Sequence, residues 1–424
     1  MLKNYLKIAF KVFLRRKFFT FVSLFGICLT LTALLVAAAI FDNTVGAYPP
    51  EVNADRVLKV STLWLAKKLE GDSWNMSGSY PGYGFVDRYV RKLKTPERIA
   101  VLSEHSSAIA YRGDDKVEMQ LMYVDSAYWE VLQFEFLEGR PFTVEEDAAG
   151  AQVAVINEAT RQKLFGRGEA VGRTLETVQK NYRVIGVVKN VSDYCPNAFA
   201  DVWVPVLSSP VESHGLAGFF GSFHILLLAR TPEEIPRVQA EYEAMLAEVD
   251  LAEVPPYDQI HSAAQTTFET YADLGDMNFY FQGGDLEADK RNLILKVAGG
   301  VLLFLLLPVL NLVNLYTSRI LERASEIGVR KAFGAPTRSL MGQFIVENLV
   351  LTLIGGTLSL MATALVLWAF ETWGWAAYAE FHLNYRIFLV GLGLALFFGL
   401  LSGVYPAWRL ARLHPTQALR GRRA

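Results

Sequence analysis

Cysteine is nearly absent, and its two residues exclude a disulfide framework. Cys28 lies in a long apolar run and Cys195 in a polar block, so the pair is not expected to meet across a bilayer. Neither has metal-ligand spacing. Phosphate-cradling sequence is missing too: no G-x-x-x-x-G-K-S/T occurs. FGRGEAVG (165–172) is glycine-rich but lacks the lysine and hydroxyl that would follow, so it reads as a surface turn. The six histidines, His105, His214, His224, His261, His382 and His414, are scattered. None makes H-E-x-x-H, and no G-x-S-x-G occurs. Glu145 and Glu146 read as solvated loop charges rather than an acid/base pair. No linear motif points to catalysis, although a triad assembled in space would escape this reading.

What the chain does have is long runs without charge. Hydrophobic residues make up 52% of it and are gathered rather than spread. Four runs reach the roughly 20 apolar residues that span a bilayer: Phe18–Phe41, Leu293–Tyr316, Phe344–Phe370 and Ile387–Trp408. The first exceeds the roughly 7–15 residues of a signal-peptide core, so it is expected to be a retained anchor. A charge at a helix centre costs about 2.5–3.5 kcal/mol. Lys296 and Glu347 lie near the ends of their runs, where snorkelling is expected to lower that cost.

Basic residues beside the runs set orientation. Lys3, Lys7, Lys11, Arg15, Arg16 and Lys17 precede the first run, with no acid among them. Arg319, Arg323, Arg330, Lys331 and Arg338 separate the second and third. Arg409, Arg412, Arg420, Arg422 and Arg423 follow the fourth, in a 409–424 tail. Both termini are therefore expected in the cytoplasm and residues 42–290 outside. The net charge of −2 hides a split: residues 42–290 hold 38 acids and 22 bases, the rest 5 acids and 19 bases. A basic share confined to the inner face argues against nucleic-acid binding. The acidic share reads as solvated surface, with attraction of cationic cargo the weaker alternative.

Residues 1–17 are expected to form a cytoplasmic amphipathic helix on the inner leaflet. Leu2, Tyr5, Leu6, Ala9, Phe10 and Phe13 keep helical spacing, and Lys3, Lys7 and Lys11 form a separate stripe. The alternative is a plain helix that serves only as a topology signal. Residues 42–290 mix both periodicities and have room for two subdomains. RVLKVSTLWL (56–65), KVEMQLMYVD (116–125), ADVWVPV (200–206) and SFHILLLAR (222–230) read as strands. GFVDRYVRKLK (84–94) and PEEIPRVQAEYEAMLAEVD (232–250) read as helices. AQVAVINEATRQKLFG (151–166) reads as strand then helix, with Asn157 near the helix start and Gly166 at its end. TLETVQKNYRVIGVVKNV (174–191) reads as two strands around a polar turn. Residues 251–290 carry few regular signals. The expected fold is a membrane protein with four transmembrane α-helices, one plus three, and a large α+β extracytoplasmic domain between spans one and two.

Residues 317–343, TSRILERASEIGVRKAFGAPTRSLMGQ, are too long for a plain connector, which needs fewer than about ten residues. Glu326 and Arg330 form a favourable helical pair, and Gly334 with Pro336 suits a helix end. Length and paired charge favour a docking element for a cytosolic partner over a solvated linker.

SRILERASEIGVRKAFGAPTRSLMGQFIVENLVLTLIGG (318–356) resembles the hallmark of FtsX-like ABC transporter permeases. SGVYPAWRLARLHPTQALR (402–420) is similar to that family's C-terminus, with Pro406, Pro415, Leu419 and Arg420 in the family positions. LEGRPFTVEED (137–147), QVAVINEATRQKLFG (152–166), AVGRTLE (170–176) and YRVIGVVKNV (182–191) resemble a MacB-type periplasmic core. The resemblance runs over nearly the whole chain. It implies a non-catalytic permease without a cofactor of its own, ATP and Mg being bound by a separate cytosolic ATPase subunit. It further implies a second permease half, identical or paralogous, and residence in the bacterial inner membrane. A membrane-fusion protein and an outer-membrane channel would complete full export. Residue by residue, the resemblance assigns ATPase coupling to Glu326, Gly328, Arg330, Lys331, Gly334 and Ala335. Fused members carry the ATPase ahead of the first span. This chain starts about 17 residues before that span, so it is expected to lack one. The implied function is mechanotransmission for export of a peptide, toxin or lipid-linked cargo. Lipoprotein release and regulation of a cell-wall hydrolase are the alternatives.

Overall fold

The computed structural model describes residues 2–15, 17–70, 73–112, 115–166, 168–209, 218–273, 291–303 and 337–373, and 378, 385–386, 388–393, 396–397 and 400. Its contacts divide the chain into a helical unit (Met1–Asp42, Leu293–Trp375 and Phe381–Ala424) and an α+β unit (Asn43–Asn292 with Ala376–Glu380), called the outer unit after the side expected of residues 42–290 from the sequence.

The chain opens with two helices, α1 (Leu2–Arg15) and α2 (Lys17–Val45). Two polar residues of α2 turn their hydroxyls onto their own helix. Ser23 Oγ donates to the Phe19 carbonyl at 2.9 Å and Thr30 Oγ1 to the Gly26 carbonyl at 2.9 Å, so an apolar surround can be tolerated.

The outer unit then runs β1 (Val57–Val60), β2 (Leu63–Lys68), β3 (Trp74–Pro81), α3 (Tyr83–Arg88), β4 (Arg98–Ser103), β5 (Ser106–Arg112) and β6 (Asp115–Val124). It continues through α4 (Tyr128–Val131), β7 (Phe136–Gly139), α5 (Val144–Ala148), β8 (Val153–Asn157), α6 (Glu158–Phe165), β9 (Thr174–Glu176) and β10 (Asn181–Val188). Then follow β11 (Val202–Pro205), β12 (Phe220–Gly221), β13 (Phe223–Leu228), α7 (Ile235–Ala247), β14 (Gln259–His261) and α8 (Thr267–Asp273).

Ten strands form one mixed sheet in the order β1-β13-β4-β6-β11-β8-β10-β7, with β5 added on β6 and β9 on β10. The β8–β10 and β6–β11 pairs are parallel. A parallel pair needs a crossover, and α6 lies in the one joining β8 to β10. Alternate residues of β8 enter different cores: Val153 and Val155 join Trp203, Tyr128 and Phe142, while Ala154 and Ile156 join Val184, Val187 and Val202. Both faces of the sheet are thus covered, which is why VAVI reads as an unbroken apolar run. A four-stranded sheet, β12-β3-β2-β14, and α7 enclose a third core around Phe85, Phe219, Phe223 and Tyr242.

RVLKVSTLWL does not form one strand. It breaks at Ser61-Thr62 into β1, in the large sheet, and β2, in the small one. The segment 262–265 imposes the break: Lys59 and Gln265 exchange backbone hydrogen bonds at 2.7 and 2.9 Å, and Ser262 Oγ donates to the Thr62 carbonyl at 2.7 Å. Residues 84–94 are likewise interrupted, α3 ending before a 3-10 turn at Val90–Lys92.

The last described long helix, α9 (Thr337–Thr372), belongs to the helical unit.

Candidate functional site

The residues assigned to ATPase coupling, Glu326, Gly328, Arg330, Lys331, Gly334 and Ala335, lie outside the described residues, as do 304–316 and the 409–424 tail. Of the fourth run, only parts are described. The helix into which the charged loop runs is placed. α9 starts inside the 317–343 segment and continues unbroken, without proline, through the third apolar run. At about 1.5 Å per residue its 36 residues extend about 54 Å, against about 30 Å of hydrocarbon.

One side of α9 is polar and buried: Gln343, Glu347, Asn348, Thr352, Ser359 and Thr363. Glu347 does not snorkel as the sequence suggested. It is 3% exposed, and its Oε1 accepts a hydrogen bond from Gln343 Nε2 at 2.9 Å. Burial against neighbouring helices, with an internal partner one turn away, replaces water as its solvation. Further along, Thr352 Oγ1 donates to the Asn348 carbonyl and Thr363 Oγ1 to that of Ser359, while Thr32 Oγ1 of α2 reaches the Ser359 carbonyl at 3.4 Å. Gly355 makes this approach feasible: a Cβ there would stand 2.7 Å from Ile27 Cγ2.

α1 is docked on the same assembly. Ala9 and Phe13 share a buried cluster with Ile27 and Leu31 of α2 and Leu351 of α9. Near the start of α9, Gly342 faces Tyr5, with 3.7 Å between a Cβ at that position and Tyr5 Cε2. Thr20 Oγ1 donates to the Phe13 carbonyl at 3.3 Å, tying the end of α1 to the first turn of α2.

In the outer unit, the four family-like stretches converge. Glu138, of LEGRPFTVEED, accepts from Arg161 Nη1 at 2.7 Å, out of QVAVINEATRQKLFG. Its other oxygen accepts from the Ala170 N–H, out of AVGRTLE, at 3.3 Å. Gly139 pairs across the β7–β10 ladder with Gly186, out of YRVIGVVKNV. Within LEGRPFTVEED, Arg140 grips Glu146 through two nitrogens at 2.7 and 2.8 Å, and Thr143 with Glu146 forms a capping box on α5. Asn157 caps α6 through Thr160 N–H at 2.7 Å and donates to Asp201 Oδ1 at 2.9 Å. These residues position backbone, which is the role the contacts support, rather than chemistry.

Two ionic clusters were invisible in linear spacing. Glu104 and His224, distant in sequence, hydrogen-bond to each other, with the Tyr80 ring edge-on to the imidazole at 4.8 Å. That bond holds the Glu104 carboxyl down at about 2, while burial pushes His224 below its usual range. The second cluster joins Arg91 to Asp125 at 3.2 Å, beside Tyr83 and Asp147. Burial pushes Asp125 up to about 6 against the pull of Arg91, and pushes Asp147 up as well. Because the folded state of Asp125 holds its proton longer than the unfolded chain does, its contribution weakens as pH rises from about 4 to about 6. Asp125→Asn is therefore expected to gain stability relative to the parent across that window, by on the order of 2 kcal/mol. Thermal melts of the two proteins in the same detergent at pH 4, 5, 6 and 7 measure it, and a difference independent of pH would refute it. Among the described residues, no group of three or more His, Cys, Asp or Glu is arranged to hold a metal. A cavity of about 460 Å³ lies between α7 and β14, with Leu246, Val249 and Ile260 beside Glu243, Asp258 and His261.

Comparison with known proteins matches residues 20–245 to the MacB-like periplasmic core domain and residues 299–415 to the FtsX-like permease C-terminal domain. The chain is 25% identical to the macrolide export ATP-binding/permease protein MacB of Chlorobaculum tepidum, over 97% of this chain and 60% of that protein. It is 26% identical to the MacB of Bdellovibrio bacteriovorus, over 71% of this chain and 44% of that protein. It is 27% identical to YvrN of Bacillus subtilis, an uncharacterized ABC transporter permease, over 71% of this chain and 70% of that protein. The chain thus spans about half the length of the MacB relatives it matches.

Proposed function

This chain belongs to the ABC transporter permeases of the MacB/FtsX type, and from that premise we propose that it transmits ATP-driven movement of a separate cytosolic ATPase to its outer unit. The observation that carries the proposal is α9. A single unbroken helix begins in the charged 317–343 segment, crosses the apolar region and is clasped near its start by α1 and along its length by α2. α9 is helical without interruption and holds no proline, so it offers a continuous path for a displacement of the loop. The FtsX-like match includes the whole loop, which supports assigning Glu326, Gly328, Arg330, Lys331, Gly334 and Ala335 to the ATPase contact.

In this proposal the unit works as a dimer of permease halves in a bacterial inner membrane. Lys17–Thr44 and Ile345–Thr372 are long and apolar enough to span it, and residues 293–316 and 387–408 supply two further spans. The charge split supports putting both termini in the cytoplasm and residues 42–290 in the periplasm. The ATPase subunit binds ATP and Mg; the permease moves the outer unit to export a peptide, toxin or lipid-linked cargo, with an adaptor and an outer-membrane channel where export is complete. The test is co-expression with an ABC ATPase encoded beside this permease. Co-purification of the two, with hydrolysis stimulated by the permease, is expected. Failure to associate in detergent and in vesicles would reject the coupling.

A further inference from the structure

We propose that the outward stripe of α1, formed by Leu6, Phe10 and Leu14 with Lys7, Lys11 and Arg15 alongside, is a docking surface for anionic phospholipid headgroups. α1 has two apolar faces. The inner one, Ala9 and Phe13, is buried against α2 and α9. The other is bare: Leu6 is 36% exposed, Phe10 52% and Leu14 70%. Spaced by four, these three lie in one file along the helix. Lys7, Lys11 and Arg15 each follow one of them by a single residue, so the bases form a parallel file, and all three are exposed.

Position and charge together select the occupant. α2 begins at Lys17, just past the end of α1, and the Thr20–Phe13 hydrogen bond fixes the junction. Since α2 is long and apolar enough to span a bilayer, α1 is held at the level where the hydrocarbon ends. A single file of apolar side chains suits the acyl boundary, and an adjoining file of cations suits phosphate. No acidic residue occurs in the first 41, so none within α1 or its junction with α2 neutralises the bases. A second protein would have to match a narrow apolar line flanked by unbroken positive charge; an anionic leaflet does so without further design. The inner face of α1 touches the start of α9, so this anchorage would also brace the helix that leaves the charged loop.

The inference rests on reading α2 as a span and does not involve the ATPase, so its failure and that of the coupling proposal are separable. The full chain, carrying Cys28→Ser, Cys195→Ala and a nitroxide on Phe10→Cys, is reconstituted in phosphatidylcholine vesicles with and without phosphatidylglycerol. Collision with oxygen and with a water-soluble nickel chelate reports depth. The label is expected at acyl depth, with its inserted fraction raised by phosphatidylglycerol. Each base near an anionic surface shifts the equilibrium about fivefold, so Lys7→Glu with Lys11→Glu should lower it at least about 25-fold in those vesicles. A label open to nickel in both vesicles, or one shielded from both oxygen and nickel by protein, would overturn the proposal. So would insertion indifferent to both phosphatidylglycerol and charge reversal.

Discussion

Arg330→Glu combined with Lys331→Glu is expected to leave the permease inserted but unable to bind or stimulate its ATPase. In the proposed contact, the adjacent bases, in a 27-residue connector that already holds Glu322 and Glu326, supply the attraction that the reversed pair would turn into repulsion. Close charge pairs across protein interfaces couple by about 1.5–7 kcal/mol, so two reversals should weaken association by more than about a hundredfold. Pull-down of the ATPase and its hydrolysis rate, with and without permease, read the effect; insertion is checked by membrane fractionation. Stimulation equal to that of the parent would remove the loop from the ATPase contact. The substitution leaves α9 itself intact, since it begins at Thr337.

Gly139→Ala is expected to unfold the outer unit or lower its stability by about 3 kcal/mol or more. Gly139 has φ +68°, a left-handed conformation that costs residues with a Cβ. A Cβ there would also lie 2.0 Å from the Ile185 carbonyl oxygen, which is ladder backbone and cannot turn aside. Its cross-strand partner is equally constrained, because a Cβ on Gly186 would meet the Arg140 carbonyl at 2.6 Å. The two glycines let β7 and β10 close on each other, and that closure carries Glu138 to Arg161. Limited proteolysis and thermal melting against the parent measure the loss. A melting temperature within experimental error of the parent would show that the β7–β10 contact is dispensable.

Several local features of the outer unit were legible from sequence. Asn157 caps α6 and Gly166, at φ +72°, ends it, as strand-then-helix reading of 151–166 predicted. The polar turn after Glu176 does separate β9 from β10. These signals are local: a cap or a turn is satisfied by residues within a few positions. The strands β3, β4 and β5 gave no comparable signal, and β14, at three residues, is too short for any period to emerge.

Sequence alone determined which segments are apolar enough to leave water and in which segments the bases gather. Transfer free energies sum along a chain, and neither sum depends on what a segment touches. It also pointed to the family, through the stretches that resemble it, which lie within the matched residues 20–245 and 299–415 or extend just past them. Tertiary structure decided what those stretches are for. The contacts of Glu138 with Arg161 and Ala170, of Gly139 with Gly186 and of Glu104 with His224 join residues far apart in the chain, and no spacing rule encodes them. It decided as well that Glu347 turns inward to Gln343 and that α1 divides its apolar surface between two faces. Whether a side chain is buried depends on the neighbours that arrive by folding, and those belong to the fold and not to the order of residues.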